Sequence, residues 1–351
     1  MDSAGERSRR DPTVFDVAAL AGVSIASVSR HLSGQRVRSA DAIDDAVARL
    51  GYRRNDAART LRLGRSGVVA LVVPNVASTF TVTIVQAAER AARAHDYTVA
   101  LFSGESPHGG GPADDLVEKL RGRVDGAIVI PWSIDDPVVA RLAAAGIAVV
   151  QLDGEVGESL DGPHAPAADA VVSDHHASGR LVAEHFAAAG HRRVGVVTGR
   201  LDTSQARERL AGFLDGARTA GLRVDDAHIA RSTDRPDGGH ASMHALLSTP
   251  SPPTAVFVSS APMAGGAYRA CLERGVRIPD QVSIAVVDRQ AFDDLWTPAP
   301  THIDRDLDEL ARVAADLLFR RLAGEKGPTE RRELGVRLVP RASVAPPAHP
   351  Q

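Results

Sequence analysis

A short run near the N-terminus, residues 25–31 (IASVSRH), brings together hydroxyl groups and one long cation. Ser27 and Ser29 can donate hydrogen bonds to phosphate oxygens. Arg30 can donate either to a guanine edge or to a phosphate. Small side chains such as Ala26 let a helix enter the major groove of DNA, which is roughly 12 Å wide. The run therefore predicts a helix that reads DNA.

Two short helices joined by a glycine turn are needed to hold this run in place. Thr13 can cap a first helix over residues 14–21, with Asp16 completing a variant of the capping box. Ser24 can cap a second helix over residues 25–32. This spacing predicts a helix-turn-helix unit.

A third helix, capped by Ser39, would complete a small core. Its apolar residues Ile43, Val47 and Leu50 recur at i, i+4 and i+7. The first two helices and their turn would add Val17, Leu20, Val23, Val28 and Leu32. A protein-interaction module with an exposed Arg30 fits the same pattern, so the residues alone leave both interpretations open.

The charge distribution favours a polyanionic partner for the N-terminal part. The chain of 351 residues has a net charge of −3, but residues 1–66 hold 12 Arg and 8 Asp or Glu, which gives +4. The remainder must carry −7. A basic end on an acidic body is typical of a segment that meets nucleic acid, although a solvated tail has the same composition.

A basic segment, residues 53–66, follows the three helices and is too polar to form a core of its own. Asn55 can cap a helical turn that ends at Leu61. A large apolar residue among phosphate-binding groups can serve as a wedge between base steps in the minor groove. A flexible linker with one incidental leucine is the alternative.

From residue 67 onward, short apolar runs alternate with helical patterns. The runs cover residues 68–73, 98–102, 126–130, 148–152, 193–197, 254–258 and 283–287. Buried parallel strands with crossover helices give this pattern. With a loop-rich break at residues 153–171, it predicts an α/β core of two doubly wound lobes.

Ligands of doubly wound folds bind beyond the carboxyl ends of the strands, which directs attention to the loops there. Asp288 could accept and Arg207 could donate hydrogen bonds to vicinal hydroxyls, and Phe80 could cover an apolar face. Structural roles remain open for each of them. The aspartate could cap a loop, and Arg207 could pair with Glu208 or Asp202.

An enzyme is not supported by the motifs. The chain has no P-loop, no dinucleotide-binding glycine motif after the first strand and no nucleophile elbow. His240 and His244 stand at i, i+4 without an evident third ligand, so we expect no metal site and no cofactor. Cys271 is the only cysteine and is interpreted as a small core residue. Without a signal peptide or a long apolar run, we expect a cytoplasmic protein with no membrane partner.

The sequence resembles the LacI (lactose repressor) family of bacterial transcription regulators. The similarity rests on TVFDVAALAGVSIASVSRHLSG, LGYRRNDAARTLR and ALVVPN, in the family's order. GHRRVGVVTG, ARERLAGFLDGA, PTAVFVSS, GVRIPDQVSIAVVD and TPAPTHID continue it through about residue 345. The resemblance implies a homodimer with two DNA-binding heads on a near-palindromic operator. It also implies a core like the periplasmic binding proteins, with a small polar, carbohydrate-like effector between its lobes.

The resemblance also assigns residues. Ile25, Ala26 and Arg30 match base-reading positions, and Leu61 matches the leucine that opens the central base step. The full set expected at DNA is Thr13, Ser24, Ile25, Ala26, Ser27, Ser29, Arg30, His31, Asn55, Arg59 and Leu61. The set expected at the effector is Phe80, Asp153, Asp174, Arg207, Ser260 and Asp288.

Three departures from the family pattern bear on these assignments. Arg54 stands where a proline is usual, which leaves the start of the hinge helix less fixed. Ser260 and Ala261 replace a polar pair, so a carboxylate is absent and the ligand is unusual or lost. His31 replaces an aliphatic residue and could add a DNA contact.

The expected organisation follows from these patterns. It comprises a disordered basic tail (1–11), an all-α helix-turn-helix head (12–54), a hinge helix (55–66), an effector-binding and dimerisation core (67–345) and a tail (346–351). Lobe 1 is expected at about 67–162 and 294–325, and lobe 2 at about 163–293 and 326–345. The last residues carry no leucine heptads, which favours a dimer over a tetramer. A small-molecule-binding protein or an enzyme, with the N-terminal helices as an interaction module, is the alternative.

Overall fold

The computed structural model describes residues 12–32, 34–52, 65–76, 78–104, 113–157, 168–289 and 295–348. The chain divides into two compact units, Met1–Ser66 and Gly67–Gln351, which we call the head and the core. The predictions for Asn55, Arg59, Leu61 and the N-terminal tail lie outside the described residues.

The head contains the three expected helices, which are α1 (Val14–Ala21), α2 (Ile25–His31) and α3 (Ala40–Leu50). The backbone N–H and the hydroxyl of Thr13 both donate to the Asp16 carboxylate at 2.7 Å. Ser24 caps α2 by accepting from the Ser27 N–H at 3.1 Å. Ser39 stands at the N-cap of α3 but makes no cap bond, since its ψ of 31° is not extended.

The three helices of the head pack around a small core of its own. Val17, Val28 and Ile43 are fully buried, as the spacing predicted. The prediction for Leu20 is wrong, because its side chain is 41% exposed. Ala21, four residues after Val17 and therefore on the same helix face, packs against the core instead.

Lobe 1 of the core is built on a parallel sheet with the order β11-β5-β4-β3-β1-β2. The strands are β1 (Val68–Val73), β2 (Thr98–Ser103), β3 (Gly126–Val129), β4 (Ala148–Leu152), β5 (Asp169–Ser173) and β11 (Arg331–Leu334). Its helices are α4 (Thr79–Arg93), α5 (Ala113–Leu120), α6 (Val138–Ala144) and α11 (Leu307–Leu322). Two apolar clusters fill the space between the sheet and these helices.

Lobe 2 repeats this plan with the order β12-β10-β9-β8-β6-β7, in which β12 is antiparallel to β10. The strands are β6 (Val194–Thr198), β7 (Ile229–Arg231), β8 (Ala255–Val258), β9 (Ser283–Val287), β10 (Thr301–Arg305) and β12 (Val336–Val339). Its helices are α7 (His175–Ala188), α8 (Ser204–Thr219), α9 (Pro236–Leu247) and α10 (Ala261–Glu273).

The predicted lobe limits near residues 162, 293 and 325 are wrong. Strand β5 pairs with β4 and belongs to lobe 1, and so does β11, which pairs with β5. Strand β10 pairs with β9 and belongs to lobe 2. Among the described residues, the chain therefore crosses between lobes after β5, between β10 and α11, and between β11 and β12.

The seven apolar runs predicted as strands all form strands, with limits shifted by one residue at most. The predicted loop-rich break at residues 153–171, however, overlaps the first three residues of β5, a strand whose five residues are all buried. The edge strand β7 and the strands β10, β11 and β12 were also missed. These strands carry charged or polar residues, and β11 is largely exposed, so they lack the apolar signature of central strands.

Candidate functional site

Helix α2 presents an outer face of small and polar groups. Ser24, Ala26 and Arg30 are exposed, and Ile25 is 41% exposed. Val28, on the opposite face, is fully buried against α1 and α3. The helix is therefore anchored by one face and free to dock by the other.

The Arg30 side chain is held along the outer face of α2. Its Nε donates to the Ala26 carbonyl, one turn earlier, at 3.3 Å. No described residue accepts a hydrogen bond from its Nη groups. A guanidinium fixed through Nε and exposed at Nη is suited to bidentate recognition of a guanine edge or a phosphate.

Several other residues expected at DNA have partners within the head. The hydroxyls of Ser24 and Ser27 lie 3.0 Å apart and share a hydrogen bond. His31 Nε2 lies 2.7 Å from the Asp44 carboxylate of α3, and the His31 side chain is only 18% exposed. His31 thus ties α2 to α3, while Ser29 lies half-buried on α2.

The cleft between the lobes of the core is centred on a buried arginine, Arg305. Its Nε and Nη2 donate to the two carboxylate oxygens of Asp288, each at 2.6 Å. Its Nη1 donates to both oxygens of Asp153, at 2.7 and 2.8 Å. The Phe80 ring lies 5.1 Å from the guanidinium carbon, within cation–π range.

A second arginine, Arg209 of α8, lies on the lobe 2 side of the same cluster. Its Nε donates to His175 Nδ1 at 3.2 Å, and its Nη1 donates to the Ser259 carbonyl at 3.0 Å. His175 Nε2 reaches the Asp153 carbonyl at 2.9 Å. The cleft therefore holds two carboxylates, two guanidinium groups and one imidazole in contact.

The protonation states of this cluster follow from burial and mutual charge. Burial opposes ionisation of Asp153, but Arg305 and His175 outweigh it and hold its pKa far below the usual range. Burial and the positive charge of Arg209 lower the pKa of His175. Asp153 and Arg305 are therefore ionised together, while the imidazole of His175 is held toward its neutral form.

Glycines permit the close approach of α7 and α8 that places Arg209 beside His175. A Cβ on Gly179 would lie 2.1 Å from the Arg209 carbonyl oxygen. A Cβ on Gly212 would lie 1.9 Å from the His176 carbonyl oxygen. Larger residues here would force the helices apart and move Arg209 out of the cleft.

Two of the residues expected at the effector have other partners in the structure. Arg207, expected in the cleft, donates instead to the Leu201 carbonyl in the loop before α8. Arg209, two residues later on α8, takes the buried place. Asp174 caps α7 by accepting from the Ala177 N–H at 2.7 Å, which is a structural role.

The structure also shows the positions of Ser260 and of the suggested partner of Arg207. Ser260 stands half-buried at the start of α10 without a side-chain cap bond. The suggested pairing of Arg207 with Asp202 is wrong, because Asp202 binds both Nε and Nη2 of Arg200. Asp153, Asp288 and Phe80, all expected at the effector, are brought together around Arg305.

Sequence reasoning missed Arg305, Arg209 and His175. Arg305 is the last residue of β10. This strand has weak apolar character, so the sequence does not mark Arg305 as the carboxyl end of a strand, where ligands bind. Arg209 lies in the motif ARERLAGFLDGA, two residues after Arg207, and the motif alone allows either arginine to face the cleft. Helical spacing from the glycines at 212 and 216 could have favoured Arg209 as the inward one, because all three residues are buried together on α8.

Comparisons with known proteins support the same arrangement. A model of the periplasmic binding protein-like domain matches residues 183–344. The HTH-type transcriptional repressor PurR of Escherichia coli is 30% identical over 345 residues, or 95% of this chain and 97% of PurR. The transcriptional regulator CelR, solved in complex with cellobiose, is 29% identical with a TM-score of 0.72, over 95% of this chain and 99% of CelR.

Another solved structure is the lac repressor dimer bound to operator and the anti-inducer ONPF. It is 25% identical with a TM-score of 0.81, over 96% of this chain and 100% of that protein. This chain belongs to the LacI family. It is a DNA-binding transcriptional regulator and not an enzyme, in keeping with the repressors that it matches over nearly their full length.

Three further features of this LacI-family chain concern membrane spans, metal ligands and the cysteine. In the part of the chain that the structure describes, no helix is long and apolar enough to cross a membrane. The same residues contain no cluster of three or more potential metal ligands. Cys271 is buried, and burial raises the pKa of its thiol to about 12, as expected of a core residue.

Proposed function

We propose that this chain is a repressor that reads a near-palindromic operator through α2. Its affinity for the operator falls or rises when a small polar effector binds in the cleft. The observation that carries the proposal is the exposed face of α2. Arg30 extends along it, beside the exposed Ala26, and the opposite face is anchored by Val28. Small residues beside one long donor suit insertion into a major groove.

Exposed apolar side chains on the core support a homodimer. Val76 and Val82 are 47% and 50% exposed in lobe 1, and Leu272 is 80% exposed in lobe 2. Apolar groups on both lobes would let two copies associate along their length. The lac repressor, a relative of similar extent, was solved as a dimer bound to operator. Two heads would then engage two half-sites about one helical turn apart.

The composition of the cleft supports a polar effector of the carbohydrate type. Carboxylates accept and guanidinium groups donate, which together match neighbouring hydroxyl groups. The buried hydroxyls of Thr198 and Ser259, at the ends of β6 and β8, have no partner among the described residues. CelR, solved with cellobiose, has the same overall fold. A ligand that binds one arrangement of the lobes more tightly would shift DNA affinity by about 1–3 kcal/mol.

Selection from a randomised DNA duplex pool with the full-length chain tests this proposal. Enrichment of a near-palindrome with two half-sites supports three claims together: that the head binds DNA, that the chain forms a dimer, and that binding is sequence-specific. Binding should weaken steeply as salt is raised, because arginines release counterions from the phosphates. Without enrichment at low salt, with or without a panel of mono- and disaccharides, the proposal is contradicted.

A further inference from the structure

The two carboxylates of the cleft belong to different lobes. Asp153 follows β4 of lobe 1, and Asp288 follows β9 of lobe 2. Both adopt a positive φ, 59° and 61°, which turns each residue at the end of its strand. Their side chains meet on one guanidinium, that of Arg305, although Asp153 and Arg305 are 152 residues apart in the sequence.

Arg305 is well placed to join the lobes because it ends β10 of lobe 2 just before the chain crosses to α11 of lobe 1. Its side chain is 3% exposed, and the Asp153 side chain is 6% exposed. Nε, Nη1 and Nη2 all donate to carboxylates, and Nη1 also lies 3.4 Å from the Ser173 hydroxyl. Such charge-assisted, bidentate bonds are stronger and more directional than neutral ones.

His175 of α7 also reaches the Asp153 carboxylate across the lobes, at 3.3 Å from Nε2, but its imidazole is held toward the neutral form. Two other contacts between the lobes are neutral hydrogen bonds. The Ile134 N–H donates to the Asp202 carbonyl at 2.8 Å, and the Glu155 N–H donates to the Ser204 hydroxyl at 3.0 Å. Each is a single bond that water can replace when the cleft opens. Asp153 and Asp288, by contrast, would repel each other without the cation between them. Arg305 is therefore the contact on which closure depends most.

We propose that Arg305 is an internal latch that occupies both cleft carboxylates and holds the lobes closed without an effector. The closed arrangement is then the resting state of the core. An effector whose hydroxyls are to bind Asp153 or Asp288 must displace this guanidinium, so Arg305 also determines which ligands can compete. The latch rests on the proposed function only in that lobe closure is taken to control DNA binding.

Electron–electron distance measurements on the full-length chain test the latch. Spin labels on Glu118→Cys of α5 and Ala245→Cys of α9 report on lobe 1 and lobe 2, because both sites are exposed. The buried Cys271 reacts poorly by comparison. Labelled chains are mixed with excess unlabelled chains so that distances within one chain dominate. The comparison is made without any added ligand, with Arg305→Gln as the test variant.

The matched control is Arg337→Gln, which removes an exposed guanidinium that pairs with Asp304 on the neighbouring strand. We expect one short distance for the parent and the control, and a shift of several ångström to longer distances for Arg305→Gln. An unchanged distance in Arg305→Gln, or a parent that is already open, overturns the latch. If Arg305→Gln does not fold, Asp153→Asn takes its place. We then expect a longer or broader distribution of the distance between the two spin labels, and an unchanged distance contradicts the latch.

DNA binding measured on the same samples separates the two proposals. A longer distance with unchanged affinity for the selected duplex leaves the latch intact and contradicts the coupling in the proposed function. A parent that binds no specific duplex contradicts the proposed function, while the distances still decide on the latch.

Discussion

Arg30 and Arg305 carry the same chemical group in opposite settings. Arg30 is exposed on α2, with Nε held by a carbonyl one turn away and no described partner at Nη. Arg305 is buried, and carboxylates of two lobes occupy all three of its nitrogens. The exposed guanidinium can act on another molecule, whereas the buried one acts on the protein itself.

This contrast extends to the surroundings of the two residues. The head is organised by local bonds, such as the caps of Thr13 and Ser24 and the pair of His31 with Asp44. The cleft is organised by contacts between residues far apart in the chain. Substitutions in the cleft should therefore change stability first, and substitutions on α2 should change DNA binding first.

The largest effect on stability is expected for Asp288→Ala. It leaves the buried Arg305 with half of its partners, and breaking a buried ion pair from one side costs about 3–5 kcal/mol. Chemical denaturation monitored in the core measures this loss. Asp304→Ala is the matched control, because Asp304 pairs with the exposed Arg337 and should change the free energy of unfolding by less than about 1 kcal/mol. Equal losses of unfolding free energy in the two variants would contradict the claim that the ion pairs of the cleft stabilise the fold more than those of the surface.

A smaller effect is expected from pH. Burial lowers the pKa of His191 to about 4 in the folded chain. Unfolded histidine takes up a proton near pH ~6.5. The unfolded state therefore binds more protons between these values, and stability falls as the pH drops from about 6.5 to about 4, by about 2 kcal/mol after allowance for solvent screening. Unfolding free energies across this range measure the slope.

His191→Gln provides the control for that slope. His191 lies against the hydroxyls of Thr254 and Ser283, at 2.9 and 3.2 Å, and glutamine offers comparable hydrogen-bonding groups without a titration in this range. We expect a flatter pH profile in the variant. A profile parallel to that of the parent would assign the pH dependence to other groups.

In the head, Ser24→Ala should destabilise folding by about 1 kcal/mol, the usual contribution of an N-cap. Its hydroxyl accepts the Ser27 N–H at the start of α2. Ser39→Ala is the matched control, because Ser39 holds the same position before α3 without a side-chain cap bond. Thermal unfolding of the head's helices, followed by circular dichroism, compares the two. A larger loss in Ser39→Ala would show that the caps are wrongly assigned.

The smallest effect on stability is expected for Arg30→Ala, within about 0.5 kcal/mol, as for exposed substitutions generally. The single bond from Nε to the Ala26 carbonyl is local and solvent-exposed. The same denaturation assay measures this difference. A loss comparable to that of Asp288→Ala would mean that Arg30 supports the fold and would weaken its assignment to DNA.

The sequence was most informative where structure is local. The capping pattern located α1 and α2, and continuous apolar runs located the central strands of both sheets. Edge strands such as β7 and β11 escaped because they carry charged residues, are only partly buried or exposed, and lack an apolar run. Lobe membership escaped for another reason, since it depends on which strand pairs with which.

The candidate sites divide in the same way. The exposed face of α2 could be derived from helical periodicity alone. The bridge from Arg305 to Asp153 could not, because no local spacing relates residues that far apart. The sequence favoured Arg207, whereas Arg209 is the arginine buried in the cleft, and only the packing of α7 on α8 shows which one is buried.

The most direct test of the account compares DNA discrimination by the parent chain and Arg30→Ala. Affinities for the selected duplex and for a scrambled duplex of equal length are measured at one salt concentration, with Arg49→Ala of α3 as the control. We expect Arg30→Ala to lose about tenfold or more on the selected duplex alone, as for the loss of a bidentate base contact. Equal losses on both duplexes would contradict the claim that α2 reads sequence, and would leave Arg30 as a phosphate contact.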